Sequence, residues 1–347
     1  FTYTTQLTYR FIPSYREFNV QNSQDHMSVL RELEQGGSLL PSNLRVQTQY
    51  GVYGMMYENT IRYRNGKFAQ ENTAEGRARY LSKAEYRNTD WFKELFQHSI
   101  RQQHTIALSS GGQKANYYVS LGTTLDPGWA KVQNEKNYFV NLNTKWTFGA
   151  IVNASYTQSH DGGDFEPLKS AAKMPRTMDP EVYYLYQYAP LNLKDEMNEN
   201  YRDDDGINLR LQASLAWTPI RQLRASLLGS VQYYSNQTEF VRTEKSNLSE
   251  RFRAMSNRYI RDQNSYLYKP ADDVYALPRI VMPDGGYRTI QGYSTRRFDL
   301  QGRLSYSDSF LDGKHTLTAL GGFDIYNLRE KYGWDQEYGV NFNLGQL

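Results

Sequence analysis

The sequence predicts an all-β fold and, within that class, an antiparallel transmembrane β-barrel. Three observations lead to this prediction: apolar residues alternate with polar ones, long connections alternate with short ones, and tyrosine is abundant in a polar chain. The 347 residues include 30 tyrosines, and 14% are aromatic, yet the mean hydropathy is −0.76. Membrane-barrel strands are half polar and carry aromatic girdles at both interfaces, which gives this combination. A tyrosine-rich soluble β-sandwich has a similar composition, so the other two observations must decide.

Charge, cysteine content and hydropathy argue against several other classes of protein. Lys and Arg are spread along a chain of net charge +3, whereas a nucleic-acid groove needs them clustered on one face. There are no cysteines, so disulfides and thiolate metal sites are excluded. No stretch approaches the roughly 18 apolar residues of a transmembrane helix. Residue 1 already lies in a strand-like run, so we expect the chain to start after processing or within a longer protein.

The alternation has a period of two, as in strands with one apolar face. In the segment 137–148, one parity holds Tyr, Val, Leu, Trp and Phe, while the other holds mainly Asn and Lys. The segment 207–217 places Ile, Leu, Ala and Trp against Asn, Arg, Gln and Ser. The pattern recurs in roughly nine strands, many close to the ~9–11 residues that a tilted strand needs to cross a bilayer.

The connections between these strands alternate strictly between long and short. The predicted long ones cover residues 13–100, 159–206 and 241–294, with a medium one at 126–128. The predicted short ones lie at Gly111-Gly112, Gly149, Thr218–Ile220 and Asp312-Gly313. Outer-membrane barrels have long extracellular loops and short periplasmic turns. Soluble sandwiches rarely carry such long loops at every other connection, so the alternation favours the barrel.

In a barrel, the polar parity of each strand must point away from lipid. The residues that we expect to face the lumen are Asn141, Asn143, Lys145, Arg210, Gln212, Arg224, Arg297, Asp299 and Arg303. Their charges line a transport path or neutralise one another inside the wall, and the sequence does not decide between these roles.

Two short helices are predicted in the first long connection, 13–100. Asn22-Ser23 and Gly36-Gly37 bracket one amphipathic segment, and Asn88-Thr89-Asp90 precede a second that starts at Trp91. These are capping and stop signals. We expect their apolar residues to pack on the end of the barrel.

Motifs for catalysis are lacking, and the metal candidates are few. The sequence has no HExxH, G-x-S-x-G or P-loop motif, and the five histidines are not spaced as metal ligands. We therefore expect no enzyme activity and no cofactor. If calcium binds, Asp203 and Asp205 are the candidate ligands, because carboxylate oxygens are what calcium prefers.

Tyrosines cluster in two predicted extracellular loops and are candidate substrate contacts. They are Tyr183, Tyr184, Tyr186 and Tyr188 in one loop, and Tyr266 and Tyr268 in the other. Aromatic rings stack on sugars and contact peptides. The alternative is that these rings pack loop against loop or belong to the outer aromatic girdle.

A stretch of about forty residues resembles one transporter family. The segments NTDWFKELF at 88–96, HTIALSSGGQKANYYVSLG at 104–122 and LDPGW at 125–129 follow in order. This order and spacing is similar to the SusC/RagA family of TonB-dependent outer-membrane transporters. The resemblance implies a barrel of 22 strands with an N-terminal plug. About nine strands cannot close such a barrel, so we expect 1–347 to be a barrel portion without the plug.

The resemblance implies active import of a nutrient oligomer, a glycan or an oligopeptide, across the bacterial outer membrane. It implies as partners a SusD-like surface lipoprotein, the TonB complex and outer-membrane lipid, and it allows a dimer of transporter–lipoprotein pairs. Two alternatives remain open: a soluble or surface carbohydrate-binding or adhesin β-domain, and a barrel enzyme using His160 and Asp161.

Overall fold

The computed structural model describes residues 1–39, 51–61, 63–64, 66–112, 115–145, 148–282, 284–312 and 314–342. Its strands are β1 Thr2–Arg10, β2 Tyr63–Arg64, β3 Lys67–Phe68, β4 Ser99–Gly111, β5 Asn116–Asp126, β6 Asn134–Lys145, β7 Phe148–Asp161, β8 Tyr184–Tyr186, β9 Ala189–Leu191, β10 Asn200–Ile220, β11 Leu223–Arg242, β12 Gly286–Phe310 and β13 His315–Val340. Its α-helices are α1 Ser23–Gln35, α2 Gly51–Ile61, α3 Ala74–Glu85, α4 Trp91–Leu95, α5 Pro167–Lys173, α6 Leu193–Glu199, α7 Asn247–Arg251 and α8 Arg258–Gln263, and Tyr15–Glu17 form a 3-10 turn.

Nine strands form one sheet in the order β1-β4-β5-β6-β7-β10-β11-β12-β13, and every neighbouring pair is antiparallel. Apart from the small hairpins β2–β3 and β8–β9, strands that follow each other in the chain are neighbours in the sheet. This confirms the predicted all-β, antiparallel class.

The register gives the sheet one apolar and one polar face. Leu211 of β10 lies opposite Val152 of β7 and Val231 of β11, and Val231 lies opposite Phe298 of β12. Directly opposed residues share a face, so the apolar parities of successive strands add up to one apolar face. Its side chains are exposed, among them Leu7, Ile106, Leu121, Val140, Ile207, Leu215, Leu304 and Ile325.

The later strands are much longer than the predicted ten or so residues. The strands β10 and β11 contain 21 and 20 residues, and β12 and β13 contain 25 and 26. The loops predicted at 159–206 and 241–294 are correspondingly shorter, and the connections cover 162–199 and 243–285. The Asp203–Asp205 run falls within the loop predicted at 159–206, but in the structure it lies inside β10.

The short and long connections lie at opposite ends of the sheet. Among the described strands, β4–β5, β6–β7, β10–β11 and β12–β13 are joined at one end, and the longer connections leave from the other. The β10–β11 turn falls at 221–222 rather than at the predicted Thr218–Ile220, and the pairing is irregular between Trp217 and Ile220. Gly149 lies within β7, and Gly313 is outside the described residues.

The main hydrophobic core lies in the long connections, not in the sheet. Its fully buried members include Met27 and Leu30 of α1, Tyr53 of α2 and Phe92 of α4. Ala171 and Leu193 come from the connection 162–199 and belong to the same cluster. We call the connections 11–98, 127–133, 162–199 and 243–285 the loop layer.

Both predicted helices of the first connection are present, as α1 and α4. The described part of that connection contains two further helices, α2 and α3. Within the described ranges, no helix is long and apolar enough to cross a membrane. The described part of the first connection therefore contains more helix than the two segments expected from the sequence.

Candidate functional site

The 88–91 segment ties the first connection together. Asn88 adopts a left-handed backbone, with φ of 50°, which Asn tolerates better than most residues. Its side-chain oxygen accepts a hydrogen bond from the Ser23 N–H at 2.9 Å, and its own N–H donates to Ser23 Oγ at 3.0 Å. This reciprocal pair fixes the start of α1 against the start of α4.

The next residues of this segment bind the second long connection. The Thr89 hydroxyl donates to the Met178 carbonyl at 2.6 Å, and Trp91 Nε1 donates to the Pro175 carbonyl at 3.0 Å. Arg176 Nε donates back to the Thr89 carbonyl at 3.1 Å. The segment that carries the family resemblance therefore joins two loops that are about 80 residues apart in sequence.

The Asp126–Trp129 turn anchors the sheet end to the loop layer. Both Asp126 oxygens accept hydrogen bonds from the Arg10 guanidinium, at 2.9 and 2.7 Å. Burial opposes ionisation of this carboxyl, but the hydrogen bonds from Arg10 and from the Gly128 N–H hold its pKa below the usual value. Gly128 has φ of 77° and a Cβ there would lie 2.2 Å from the Gln133 carbonyl oxygen, so glycine is required.

An open cavity of about 900 Å³ lies between the connections 162–199 and 243–285. Its apolar wall includes Met174, Met178, Tyr184, Leu191 and Leu193, and its polar wall includes Lys173, Glu196, Arg242, Asn247 and Arg251. Apolar walls with a few convergent polar groups are typical of ligand sites. We take this cavity as the candidate site.

Arg251 joins the two groups of predicted tyrosines. Its guanidinium carbon lies 5.4 Å from the centre of the Tyr186 ring and 6.0 Å from that of Tyr266. Its Nε donates to Asn247 Oδ1 at 2.7 Å, and Asn247 Nδ2 donates to the Ala189 and Pro190 carbonyls at 3.0 Å. The sequence pointed to the two rings but not to Arg251 or Asn247, because Tyr186 and the carbonyls that Asn247 binds lie more than 50 residues away from both.

The other predicted tyrosines have separate roles. Tyr184 is buried, its hydroxyl accepts from the Asp179 N–H at 2.6 Å, and burial raises its pKa to about 12. The hydroxyl of the exposed Tyr183 donates to Asp195, and this hydrogen bond raises the pKa of Tyr183 to about 12. Both rings, with Tyr188, line a second cavity of about 680 Å³. Tyr268 is 54% exposed and its backbone pairs with Arg279.

Glu196 is a buried acid beneath the cavity. The Asn247 N–H donates to both of its oxygens, at 3.2 and 2.9 Å, and the Asn200 amide also donates to it. Burial nevertheless raises the pKa of Glu196 above its ordinary value of 4.5. Burying a charge costs free energy even when hydrogen bonds compensate in part.

We expect Glu196→Gln to flatten the pH dependence of loop-layer stability. With a raised folded pKa, Glu196 contributes stability at pH below the unfolded value of 4.5, and this contribution is lost as pH rises through the folded pKa. The wild type should therefore lose loop-layer stability as pH rises above 4.5, while the variant should lose less. Protease protection of the connections, measured against pH, tests this; equal slopes in both proteins contradict it.

All nine residues predicted to face the lumen lie on the polar face of the sheet. Asn153, Arg210, Gln232 and Arg297 form one continuous cross-strand row. Arg297 pairs with Asp299 at 2.9 Å, and Arg210 donates to Gln212 at 3.0 Å. The other predicted residues on this face are Asn141, Asn143, Lys145, Arg224 and Arg303.

The structure does not bring the calcium candidates into one ligand set. Asp203 lies 2.6 Å from His160 Nδ1, and Asp205 accepts from the Tyr156 hydroxyl at 2.9 Å. Asp204 lies on the other face, paired with Arg202 at 2.9 Å. Among the described residues, no group of three or more His or acidic side chains is placed to hold a metal.

His160 and Asp161, the pair considered for an enzyme, point to opposite faces of the sheet. His160 contacts Asp203 on the apolar-face side, whereas Asp161 binds Arg202 at 2.5 Å on the polar face. The two side chains therefore do not form a catalytic pair with each other.

Solved structures of similar fold match the chain. No protein-family model and no curated protein matches the chain. The RagAB peptide transporter matches with a TM-score of 0.60 and 16% identity, covering 99% of this chain and 36% of that one. The RagAB peptide importer in its closed-closed and open-open states gives TM-scores of 0.59 and 0.57 at 17% identity, covering 98% of this chain and 36% of each. The chain therefore spans about a third of these chains' length, and at this identity the likeness shows a shared fold.

Proposed function

We propose that the chain is part of a TonB-dependent transporter of the bacterial outer membrane that imports a nutrient oligomer. The observation that carries this proposal is the sheet itself, whose one face is apolar and exposed across its neighbouring strands while the other holds charged and amide side chains. Such a sheet fits a wall between lipid and a polar lumen. The proposal includes no resident cofactor and no catalytic step.

The dimensions of the apolar face support placement in a bilayer. Its apolar residues run over 207–217 in β10, 223–233 in β11 and 298–306 in β12, close to the ~9–11 residues of a membrane-crossing strand. Rings flank these stretches on the same face: Tyr138, Tyr156 and Tyr233 towards the loop layer, and Phe148, Trp217 and Tyr306 towards the short turns. Aromatic girdles of this kind mark the two interfaces of a membrane barrel.

The loop layer is the proposed capture surface on the extracellular side. Its cavity offers apolar walls, the Arg251–tyrosine cluster and both signs of charge, which suit an oligopeptide with its mixed side chains and polar backbone. The peptide in the names of the RagAB structures favours an oligopeptide over a glycan as substrate. By the same resemblance we propose a SusD-like lipoprotein over this layer, energy from the TonB complex, and a dimer of such pairs.

We expect Arg251→Ala in the full-length transporter to reduce uptake of labelled oligopeptides by about tenfold. The substitution removes a guanidinium from the cavity wall. A charge-assisted hydrogen bond from it to a bound peptide is worth about 1.5–3 kcal/mol, which exceeds the ~1.4 kcal/mol that a tenfold change requires. Arg258→Ala is the matched control, because that side chain is 84% exposed and its salt bridge in the described part of the chain is to its helix neighbour Asp262.

Membrane content and uptake are measured together in cells. The proposal predicts that both variants reach the outer membrane and that only Arg251→Ala loses uptake. If the cells take up oligosaccharides instead of peptides, the proposed substrate is wrong but the proposed transport function stands. If the full-length protein leaves membranes without detergent, the transporter proposal fails and a soluble binding domain takes its place.

A further inference from the structure

Two arginines lie directly opposite each other on the apolar face, just beyond its apolar stretch. Arg296 of β12 is paired in register with Arg329 of β13, and Lys331 is the next residue of β13 on the same face. The pairs Phe298–Asn327 and Leu300–Ile325 follow towards the short turns. Arg296, Arg329 and Lys331 are exposed. They therefore form a basic cluster at the loop-layer edge of the apolar band.

Glu330 and Asp299, the described acidic residues closest to this cluster in sequence, lie on the other face of the sheet. Glu330 lies on the polar face, where it accepts a hydrogen bond from the Tyr293 hydroxyl at 2.7 Å. Asp299 also lies on the polar face and is bound by Arg297. Across the parts of the chain that the structure describes, no salt bridge involves Arg296, Arg329 or Lys331. Like charges placed directly opposite on neighbouring strands destabilise a sheet, so this pair gains stability from an external anion.

The surroundings indicate what kind of anion fits. The Arg296 guanidinium carbon lies 5.6 Å from the centre of the Tyr233 ring, a residue of the aromatic girdle. Phe298, Val231 and Leu300 continue the apolar surface below it. Two guanidinium groups suit a phosphate, which each can bind through two parallel hydrogen bonds. A lipid fits these surroundings, because its phosphate can lie between the arginines while its acyl chains lie along the neighbouring apolar residues.

We propose that Arg296, Arg329 and Lys331 form a binding site for the phosphate of an anionic lipid headgroup in the extracellular leaflet. The phosphate lies between the two guanidinium groups, and the acyl chains lie along the apolar face. The inference rests on the proposed function, since it places this face in a membrane with the loop layer outside. The inference adds to that function a lipid bound at a fixed position, whose phosphate neutralises the repulsion between Arg296 and Arg329.

The test compares Arg296→Gln/Arg329→Gln with Arg224→Gln/Arg303→Gln in the full-length transporter. Each double variant loses two positive charges, but the control loses them from the polar face. The proteins are inserted into nanodiscs of phosphatidylcholine containing diphosphoryl lipid A, and retained lipid A is quantified by native mass spectrometry. Removing two charges near an anionic headgroup should weaken retention roughly thirtyfold. The control should retain lipid A as the wild type does.

Two further arms separate the outcomes. Dephosphorylated lipid A should be retained weakly and equally by all three proteins, because only the phosphate meets the arginines. Inorganic phosphate should compete poorly, since it lacks the acyl chains. Equal retention of lipid A by all three proteins overturns the site, as does free phosphate displacing the lipid at equal concentration. A full-length protein that fails to enter the membrane overturns the proposed function instead.

Discussion

Leu211→Arg is expected to destabilise the folded protein in a lipid bilayer by about 2–4 kcal/mol, the cost of an arginine near the midplane on the lipid face of a barrel. Leu211 lies near the centre of the apolar stretch of β10 and between Val152 and Val231. An arginine there must hold its charge in hydrocarbon or bend towards an interface. Unfolding of the full-length protein in bilayers by denaturant measures the difference.

The adjacent substitution Gln212→Arg is the control for this prediction. It adds the same side chain to the same strand, but on the polar face, opposite Ile151 and Ser230. We expect a cost of about 1 kcal/mol at most, because the substitution replaces the hydrogen bond from Arg210 with a like charge on a polar face. If the two arginines cost the same, the apolar face is not in contact with lipid.

Trp91→Ala is expected to destabilise the loop layer by about 3–5 kcal/mol, the usual cost of truncating a buried aromatic side chain. Trp91 is 2% exposed and belongs to the core shared by the first two long connections. The substitution also leaves the Pro175 carbonyl without the hydrogen bond from Trp91 Nε1, and an unpaired buried acceptor adds to the cost.

The sheet should persist in this variant, because the loop-layer core is built from the connections. Protease cleavage of the connections in membrane-inserted protein, followed during a denaturant titration, reports loop-layer stability separately from the sheet. Lys93→Ala is the control from the same helix: its side chain is 73% exposed and makes a surface salt bridge to Asp90, worth under about 1 kcal/mol. If the connections are equally protected from protease in the Trp91→Ala and Lys93→Ala variants, the long connections do not share a core built around Trp91.

The alternating part of each strand was predictable because its signal is local. A period-two pattern such as 207–217 specifies a strand and its two faces at once, and the register then places all nine predicted polar residues on one face. What the pattern does not reveal is the extension of β12 and β13 towards the loop layer. There the polarity reverses: Arg329 and Lys331 lie on the apolar face, while Tyr332 and Trp334 lie on the polar one. In the proposed membrane placement these extensions lie beyond the bilayer, where neither face must be apolar, so the alternation no longer predicts the two faces.

The candidate site was less predictable because tertiary contacts build it. Tyr186 and Tyr266 are 80 residues apart in sequence and both contact Arg251, and nothing near Arg251 in the sequence marks it. Helix α2, with two glycines and β-branched residues in its sequence GVYGMMYENTI, has weak helix propensity. Its buried Tyr53 and Met56 fit the core of the loop layer, so packing outweighs propensity there.

The central claim, that one face of the sheet meets lipid and the other a polar lumen, is tested most directly by cysteine accessibility along β10. The chain has no cysteine, so single replacements at each position of 208–215 add one reactive thiol to this part of the protein. Membranes bearing the full-length protein are treated with a water-soluble maleimide. We predict labelling of the even positions, such as Arg210 and Gln212, and protection of the odd positions, such as Leu209 and Leu211. Equal labelling of both parities would contradict the account.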